Sequence, residues 1–356
     1  MAIILQQING LSDSKYSGIA GSVAECVGLD IVSTPGLTKV RQKLTKISST
    51  TVDAFVKVSV ACSNGYSFWF SFTSGKIWAI SPGGTLTLAY TTVPGAGTAG
   101  CSGAMEHNGY LYWATQSRLH RISIANADDS WASVSLDWAT FTKTDADFHP
   151  MATQDLSLFI GDGNQVALVD DAGVFNANAL DINTPYRIKS MIDYETDILL
   201  GTFVANTVNK TQIIRWDTVS PSWNTSDPVE EVGINAFIRD DNNLYVNAGR
   251  AGNIYFYNGQ TLELFKKIPG DYSDTKHATI NPGSVANHMG VPVFGLSNGL
   301  GNPAKQGVYS LGSHSKNYPK VLSLDWVISP DVTANVEVGA MLSIGGNLLI
   351  SWKNNN

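Results

Sequence analysis

Short apolar segments separated by polar turns recur along the chain, and each is too short to form a helix of ordinary length. The clearest copies are GYSFWFSF followed by GKIWAI from residue 65, and GYLYWAT followed by RLHRISI from residue 109. Further copies begin near residues 156, 197, 243, 291 and 347. The pattern predicts pairs of buried strands joined by tight turns, with little helix.

Successive copies begin roughly 41 to 56 residues apart, which is the length of a four-stranded propeller blade. A strand of small residues precedes each copy, as in residues 56–62, and a more polar outer strand follows, as in residues 85–90. Small side chains suit the crowded inner strand of a blade. We therefore predict an all-β fold, a β-propeller of about seven blades. Residues 25–356 form the propeller, residues 1–24 form an N-terminal arm, and blades start near residues 53, 102, 148, 186, 232, 277 and 335.

Closure of this predicted ring depends on the last blade. The final copy ends after two strands, although the strand edges of a closed ring must be paired. Residues 27–47 have an extended pattern and are the candidates to supply the missing strands. The alternative is that the chain is a piece of a longer protein.

Charge and cysteine content limit the classes of partner and of binding site that the protein can have. The formal net charge is -7 and the pI is near 5.3, which opposes phosphate binding, so we predict no nucleic-acid partner. The N-terminus lacks the basic region of a signal peptide, and no apolar run reaches the length of a membrane span, so no membrane partner is predicted. Cys26, Cys62 and Cys101 are few and widely spaced, which argues against disulfides or a cysteine zinc site.

Carboxylates and histidines are the catalytic candidates. Propeller glycosidases place carboxylates around a channel mouth for acid/base work, but Asp and Asn are also ordinary turn formers. No HExxH spacing, nucleophile elbow or phosphate loop is present. The sequence therefore predicts no enzyme and no catalytic, cofactor-binding or metal-binding residue. The acidic residues considered are Glu106, Asp162, Asp193, Glu195, Asp197, Asp240 and Asp241. The histidines are assigned turn roles (His107, His288) or structural hydrogen bonds (His120, His149).

Nine tryptophans raise the question of a carbohydrate-binding face. Those within apolar strands are predicted to pack between blades: Trp69, Trp78, Trp113, Trp216 and Trp352. Those on outer or loop-like segments are the candidates for an exposed ligand or partner surface: Trp131, Trp138, Trp223 and Trp326.

Four stretches carry a family resemblance. They are DIVSTPG from Asp30 with QKLTK from Gln42, YWATQSRLHRI from Tyr112, AGNIY from Ala251, and GLSNGLGNP from Gly295. They resemble propeller-like structural proteins of tailed bacteriophages and uncultured viruses, over nearly the whole chain. The resemblance carries no catalytic residue. It implies a virion component of the tail, its hub or fibres, or a head-decorating layer, synthesised in the host cytoplasm.

We therefore predict a non-enzymatic virion structural protein, a propeller platform for subunit assembly or host-surface attachment. Its expected partners are other virion proteins and symmetry-related copies of itself, with a host-surface glycan as a candidate ligand. The alternative is a glycan-binding or glycan-cleaving propeller that uses carboxylates and aromatic rings at the channel mouth.

Overall fold

The computed structural model describes most of the chain between residues 55 and 354. The described residues are 29–30, 39–40, 55–72, 74–91, 100–131, 133–204, 210–240, 243–249, 252–267, 278–279, 281–298, 307–312, 321–327 and 336–354.

Antiparallel sheets follow one another along these residues, and each of the first five is a meander of four strands that pair in chain order. Blade 1 contains β3 (Val56–Ala61), β4 (Ser67–Ser71), β5 (Lys76–Ile80) and β6 (Leu86–Thr91). Blade 2 contains β7 (Gly103–His107), β8 (Tyr110–Ala114), β9 (Arg118–Ser123) and β10 (Ser135–Thr140), with a short 3-10 helix at Ile124–Asn126. Blade 3 contains β11 (Met151–Gln154), β12 (Ser157–Asp162), β13 (Gln165–Val169) and β14 (Phe175–Asp181).

The second half of the chain continues the meander. Blade 4 contains β15 (Arg187–Tyr194), β16 (Asp197–Phe203), β17 (Thr211–Trp216) and β18 (Thr225–Val229). Blade 5 contains β19 (Ile234–Asp240), β20 (Asn243–Ala248), β21 (Asn253–Tyr257) and β22 (Leu262–Lys266). Blade 6 contains β23 (Ala278–Thr279), β24 (Val285–His288), β25 (Val291–Asn298), β26 (Gly307–Gly312) and β27 (Val321–Val327), and β23 and β24 both pair with β25. A two-stranded sheet of β28 (Val336–Ile344) and β29 (Asn347–Asn354) follows.

The inner strands contact one another in a closed ring. Contacts run from β3 through β7, β11, β15, β19, β24 and β28, and β28 contacts β3 again. This arrangement confirms the all-β propeller prediction. The blade number differs slightly from the expected seven, because six sheets have four or five strands and the sheet in the seventh position has two described strands. The N-terminal strands β1 (Leu29–Asp30) and β2 (Lys39–Val40) pair with each other, and no described residue of either pairs with β28 or β29.

Apolar side chains fill the space between neighbouring blades. All five residues of β4 are buried, because a strand in the middle of a blade has another blade against each face. Phe70 of blade 1 stacks on Trp113 of blade 2 at a centroid distance of 6.3 Å, within one cluster that both blades share. The outer strands β10 and β14 bury far less, which follows their more polar sequences. Burial between blades is thus the main source of stability.

Blade backbones approach each other too closely for a side chain at some glycines. A Cβ added to Gly103 would lie 1.7 Å from the carbonyl oxygen of His149, and one added to Gly339 would lie 2.1 Å from that of Val56. The Ser351 hydroxyl of β29 also donates to the Val56 carbonyl over 3.0 Å, so the last sheet and blade 1 are joined at this place by a hydrogen bond. Glycine at these positions is therefore required by the spacing between blades.

Candidate functional site

A cavity of about 170 Å³ lies where the inner strands begin, at one end of the central channel. We call this region the channel mouth. Blades 1 to 6 all contribute the first residues of an inner strand or the residues just before it. Its charged or polar lining residues are Lys57, Ser102, Asp147, Lys189, Ser190 and Asn281. Its apolar wall includes Val58, Phe148, Pro150, Met151, Met191 and Phe237.

Lys57 and Lys189 bring two amino groups to the channel mouth from blades 1 and 4. The Lys189 ammonium donates to Oδ1 of Asn235 over 2.7 Å. Asn235 is buried, and its Nδ2 donates to Asn247 over 2.9 Å, which fixes its carbonyl toward the lysine. The Lys57 ammonium lies 3.5 Å from the ring centroid of Phe72, a cation–π contact.

Burial changes the acidity of both lysines. Burial and, to a smaller extent, repulsion from the nearby Lys57 ammonium together lower the pKa of Lys189 to about 8. The pKa of Lys57 is also lowered by burial, although the carboxylates of Glu337 and Asp147 partly oppose this effect. Lys189 receives no such compensation from a described carboxylate. Its positive charge is therefore the less well balanced of the two.

A charged cluster forms the rim of the channel mouth. Arg187 donates from Nε to Asp145 over 2.9 Å and from Nη2 to Asp147 over 3.0 Å. The Asp145 side chain is 1% exposed, whereas that of Asp147 is 51% exposed. The hydrogen bonds that Arg187 donates to both carboxylates raise its pKa, and the bond to Asp145 has the larger effect. This pairing leaves Asp147 only partly available to balance the lysines.

A hydroxyl, an imidazole and a carboxylate meet beneath the rim, between blades 2 and 3. The Ser102 hydroxyl and Nδ1 of His149 are 2.6 Å apart, and Nε2 of His149 lies 3.6 Å from Oδ1 of Asp162. Burial raises the pKa of Asp162, but His149 and the backbone N–H groups of Asp145 and Lys143 lower it, and the lowering prevails.

This arrangement has the residues of a Ser–His–Asp triad, but its imidazole is closed off from solvent and from any substrate. The imidazole of His149 is 0% exposed and stacks on Phe141 at a centroid distance of 4.5 Å, so it cannot reach the leaving group of a substrate. The backbone N–H of His149 also donates to the Ser102 carbonyl over 3.3 Å, which ties the two blades together. We therefore interpret the arrangement as a contact that holds blades 2 and 3 together. The structural hydrogen bond that the sequence predicted for His149 is present.

The other histidines also make structural contacts. The backbone N–H of Asp137 donates to Nδ1 of His120 over 3.0 Å, and Nε2 lies 3.1 Å from the Thr115 hydroxyl. Nδ1 must be an unprotonated acceptor, and burial lowers the pKa of His120 to about 4, so this ring is neutral at pH 7. His107 ends β7 beside the hairpin turn, and His288 ends β24 with Nδ1 3.0 Å from the Ser343 hydroxyl.

The structure does not gather the acidic candidates into one site, although Glu195 and Asp197 share a cation. Glu106 accepts from the Ser63 backbone, Asp193 pairs with Arg239, and Glu195 and Asp197 both pair with Arg215. Asp162 is fully buried and Asp240 is 4% exposed. Asp241 lies outside the described residues. Within the described part of the chain, no group of His, Cys, Asp or Glu side chains is arranged to hold a metal ion.

The tryptophans depart from the predicted pattern at two positions. Trp69, Trp78, Trp113 and Trp216 are buried as expected, but Trp352 is 43% exposed on β29. Trp131 is only 3% exposed and stacks on Tyr90, so it does not belong to an exposed face as the sequence suggested. Trp138 is half-buried beneath Arg121, and Trp223 is half-buried against the core between blades 3 and 4. The side chain of Trp326 lies outside the described part of the structure.

Sequence reasoning missed the two channel lysines. Each lies near the beginning of an inner strand whose other residues are mostly small or apolar, as in VKVSVA and RIKSMI. A lysine at this position in two blades is the signal that points to the channel. It becomes meaningful only when the strands are known to form a ring, because the two lysines are 132 residues apart (189 − 57).

No protein-family model matches the chain, and no curated protein sequence is significantly similar to it. Solved propellers are similar in fold. The extracellular domain of BT4673 from B. thetaiotaomicron matches with a TM-score of 0.58 and 15% identity, over 87% of this chain and 39% of that chain. The WD40 β-propeller domain of Doa1 matches with a TM-score of 0.55 and 10% identity, over 85% and 90% of the two chains. Streptogramin B lyase matches with a TM-score of 0.54 and 9% identity, over 87% and 96%.

These similarities define the class of protein. The chain is a β-propeller built from repeated sheets. It spans about two fifths of the BT4673 chain. At identities of 15% or less the similarity shows the fold alone, and one fold supports many functions. No described helix has the length and apolarity needed to cross a lipid bilayer.

Proposed function

We propose that this protein is a non-enzymatic β-propeller platform, a structural component of a tailed-phage virion that holds other subunits or a host surface. One observation carries the non-enzymatic part of the proposal. The described side chains that could act in acid/base or nucleophilic catalysis are buried or bonded to structural partners, as are His149, Asp162 and Asp197. A catalytic acid or base must instead reach the substrate.

The virion part of the proposal rests on the four stretches of sequence resemblance and on the suitability of the fold. A closed ring of sheets keeps its turns and outer strands in fixed positions, which suits a component that contacts several neighbours. The partners we propose are other virion proteins and symmetry-related copies of this chain.

Purified particles from the source of this sequence test the proposal directly. Quantitative mass spectrometry should find the protein at a fixed copy number per particle, and cryo-electron microscopy should show propeller density at symmetry-related positions. Absence from purified particles overturns the virion role.

Glycan binding or cleavage is the alternative function. Exposed Trp352 and half-buried Trp138 are aromatic rings on which a sugar could stack. We expect a hydrolysis screen to release no sugar and a glycan array to show no selective signal. A specific product in the screen would replace the platform proposal with an enzymatic one.

A further inference from the structure

The strongest unassigned feature is the convergence of two amino groups on one small cavity. Lys57 and Lys189 both line the channel mouth. Their mutual repulsion contributes to the lowered pKa of Lys189. Two ammonium groups held in a partly buried space cost free energy unless an opposite charge lies between them. An anion would remove this cost.

The charges around Lys189 favour an anion at this lysine. From blade 1 it faces Lys57, and the residues before β11 bring Asp147, which is paired with Arg187, to the same cavity. From blade 5 it meets the neutral amide of Asn235, and Glu337 on β28 acts on Lys57 instead. Two described rings lie within 6 Å of its ammonium, Phe148 at 5.4 Å and Phe203 at 5.7 Å, and neither carries a charge.

The cavity also sets the size and character of the ligand. Its volume is about 170 Å³, and a cavity of about 150 Å³ holds a molecule the size of benzene. Phe148, Met151, Met191 and Phe237 supply apolar side chains to the same cavity. The site therefore suits a molecule that has one apolar end and one anionic end.

We propose that the channel mouth binds a small carboxylate with a single ring or a short aliphatic chain, its carboxylate held by Lys189 and Lys57 and its apolar part by the phenylalanine and methionine side chains. This inference goes beyond the platform function and does not depend on the virion role. Charge-assisted hydrogen bonds from two ammonium groups would fix the carboxylate end.

Calorimetric titration with benzoate tests the site, and benzamide is the uncharged control of nearly the same shape. We expect benzoate to bind at least tenfold more tightly than benzamide at pH 7. K189M should reduce benzoate binding to the level of benzamide. The matched control is K210M, because Lys210 is exposed on the surface beside Glu230. That variant should bind benzoate as the original protein does. Thermal melting and circular dichroism show whether each variant is folded.

Proton uptake gives a second measurement that a merely structural lysine would not affect. With a pKa of about 8, Lys189 is about half protonated at pH 8, and a bound carboxylate favours the protonated form. Titrations in buffers of different ionisation enthalpy should therefore show about half a proton taken up per benzoate at pH 8, and almost none at pH 6. In K57M the uptake at pH 8 should be smaller, because removal of the neighbouring charge raises the pKa of Lys189.

Three results would overturn the proposal. These are equal affinities for benzoate and benzamide, undiminished benzoate binding by folded K189M, and no saturable binding of benzoate at millimolar concentrations. Benzoate binding that K189M abolishes, with proton uptake at pH 8, supports the site whether or not the protein occurs in virions.

Discussion

His120 shows how burial changes the chemistry of a single side chain. Its folded pKa of about 4 lies below the usual value near 6.5, so the unfolded chain binds a proton more readily between these values. Keeping His120 neutral therefore adds nothing to the cost of folding above pH 6.5. As the pH falls from 6.5 toward 4, the unfolded chain gains a proton that the folded protein does not, and the free energy of unfolding decreases. We expect the free energy of unfolding to fall by about 2 kcal/mol from pH 7 to pH 4.5 through this residue.

The H120Q variant isolates this effect, because glutamine does not titrate. Urea unfolding of both proteins at pH 7 and pH 4.5 measures the difference between them. The acid-dependent loss should be about 2 kcal/mol smaller in H120Q. Equal losses in the two proteins would show that His120 becomes protonated without cost in the folded state.

Two arginine–carboxylate pairs provide a comparison of buried and exposed charge. Arg187 binds Asp145, whose side chain is 1% exposed, whereas Arg239 and Asp193 are 42% and 49% exposed. R187M leaves a buried carboxylate without its cation, and we expect a loss of about 2 to 3 kcal/mol in unfolding free energy. The matched variant R239M should lose less than about 1 kcal/mol. Similar losses in denaturant unfolding would contradict this account.

The channel residues show what sequence can and cannot predict at this scale. The turn position of His107 and the structural role of His120 follow from local patterns, and the structure agrees with both. The meeting of Lys57 with Lys189 depends on ring closure, which no local pattern encodes. Burial of Trp131 was missed for a similar reason. It has a positive φ of 40° in a loop that appears exposed in sequence, yet its ring packs on Phe68 and Trp113.

At the scale of the strand, sequence was most informative where residues are buried on both faces. The mainly apolar segments at residues 67–71 and 110–114 correspond to β4 and β8, because a strand with another blade against each face buries most of its side chains. Outer strands are harder to predict. β18 has the sequence TSDPV and β14 has FNANALD, neither of which has a strong strand pattern, and they form because β17 and β13 offer an edge to pair with.

The contact between neighbouring inner strands is tested at Gly103. A methyl group there would lie 1.7 Å from the His149 carbonyl, and neither backbone can move without disturbing the contact between blades 2 and 3. We expect G103A to lower the free energy of unfolding by more than about 2 kcal/mol. The control is G83A, where the nearest atom to an added Cβ is the Ser81 hydroxyl at 3.8 Å, and its effect should stay within about 0.5 kcal/mol. A stable G103A protein would mean that these blades can separate freely.

For the whole molecule, stability depends on the ring being closed between its first and last sheets. The two-stranded sheet β28–β29 packs on blade 6 and on blade 1. Val338 is fully buried against Val293 and Val308 of blade 6, and the Ser59 hydroxyl of blade 1 donates to the Met341 carbonyl over 3.4 Å. A small sheet therefore supports two large ones.

V338D tests this role, because it places an unpaired charge in the apolar contact between β28 and blade 6. Hydrogen exchange measured by mass spectrometry should show the greatest loss of protection in β3 and β25, which both contact β28, and the least in β12 and β13 of blade 3. The control is N347D, which introduces the same side chain at an exposed position on β29 and should leave the exchange pattern unchanged. If V338D instead loosens all blades equally, the ring unfolds as one cooperative unit and the last sheet has no local effect. If β3 and β25 keep their protection in folded V338D, the sheet does not support its neighbours.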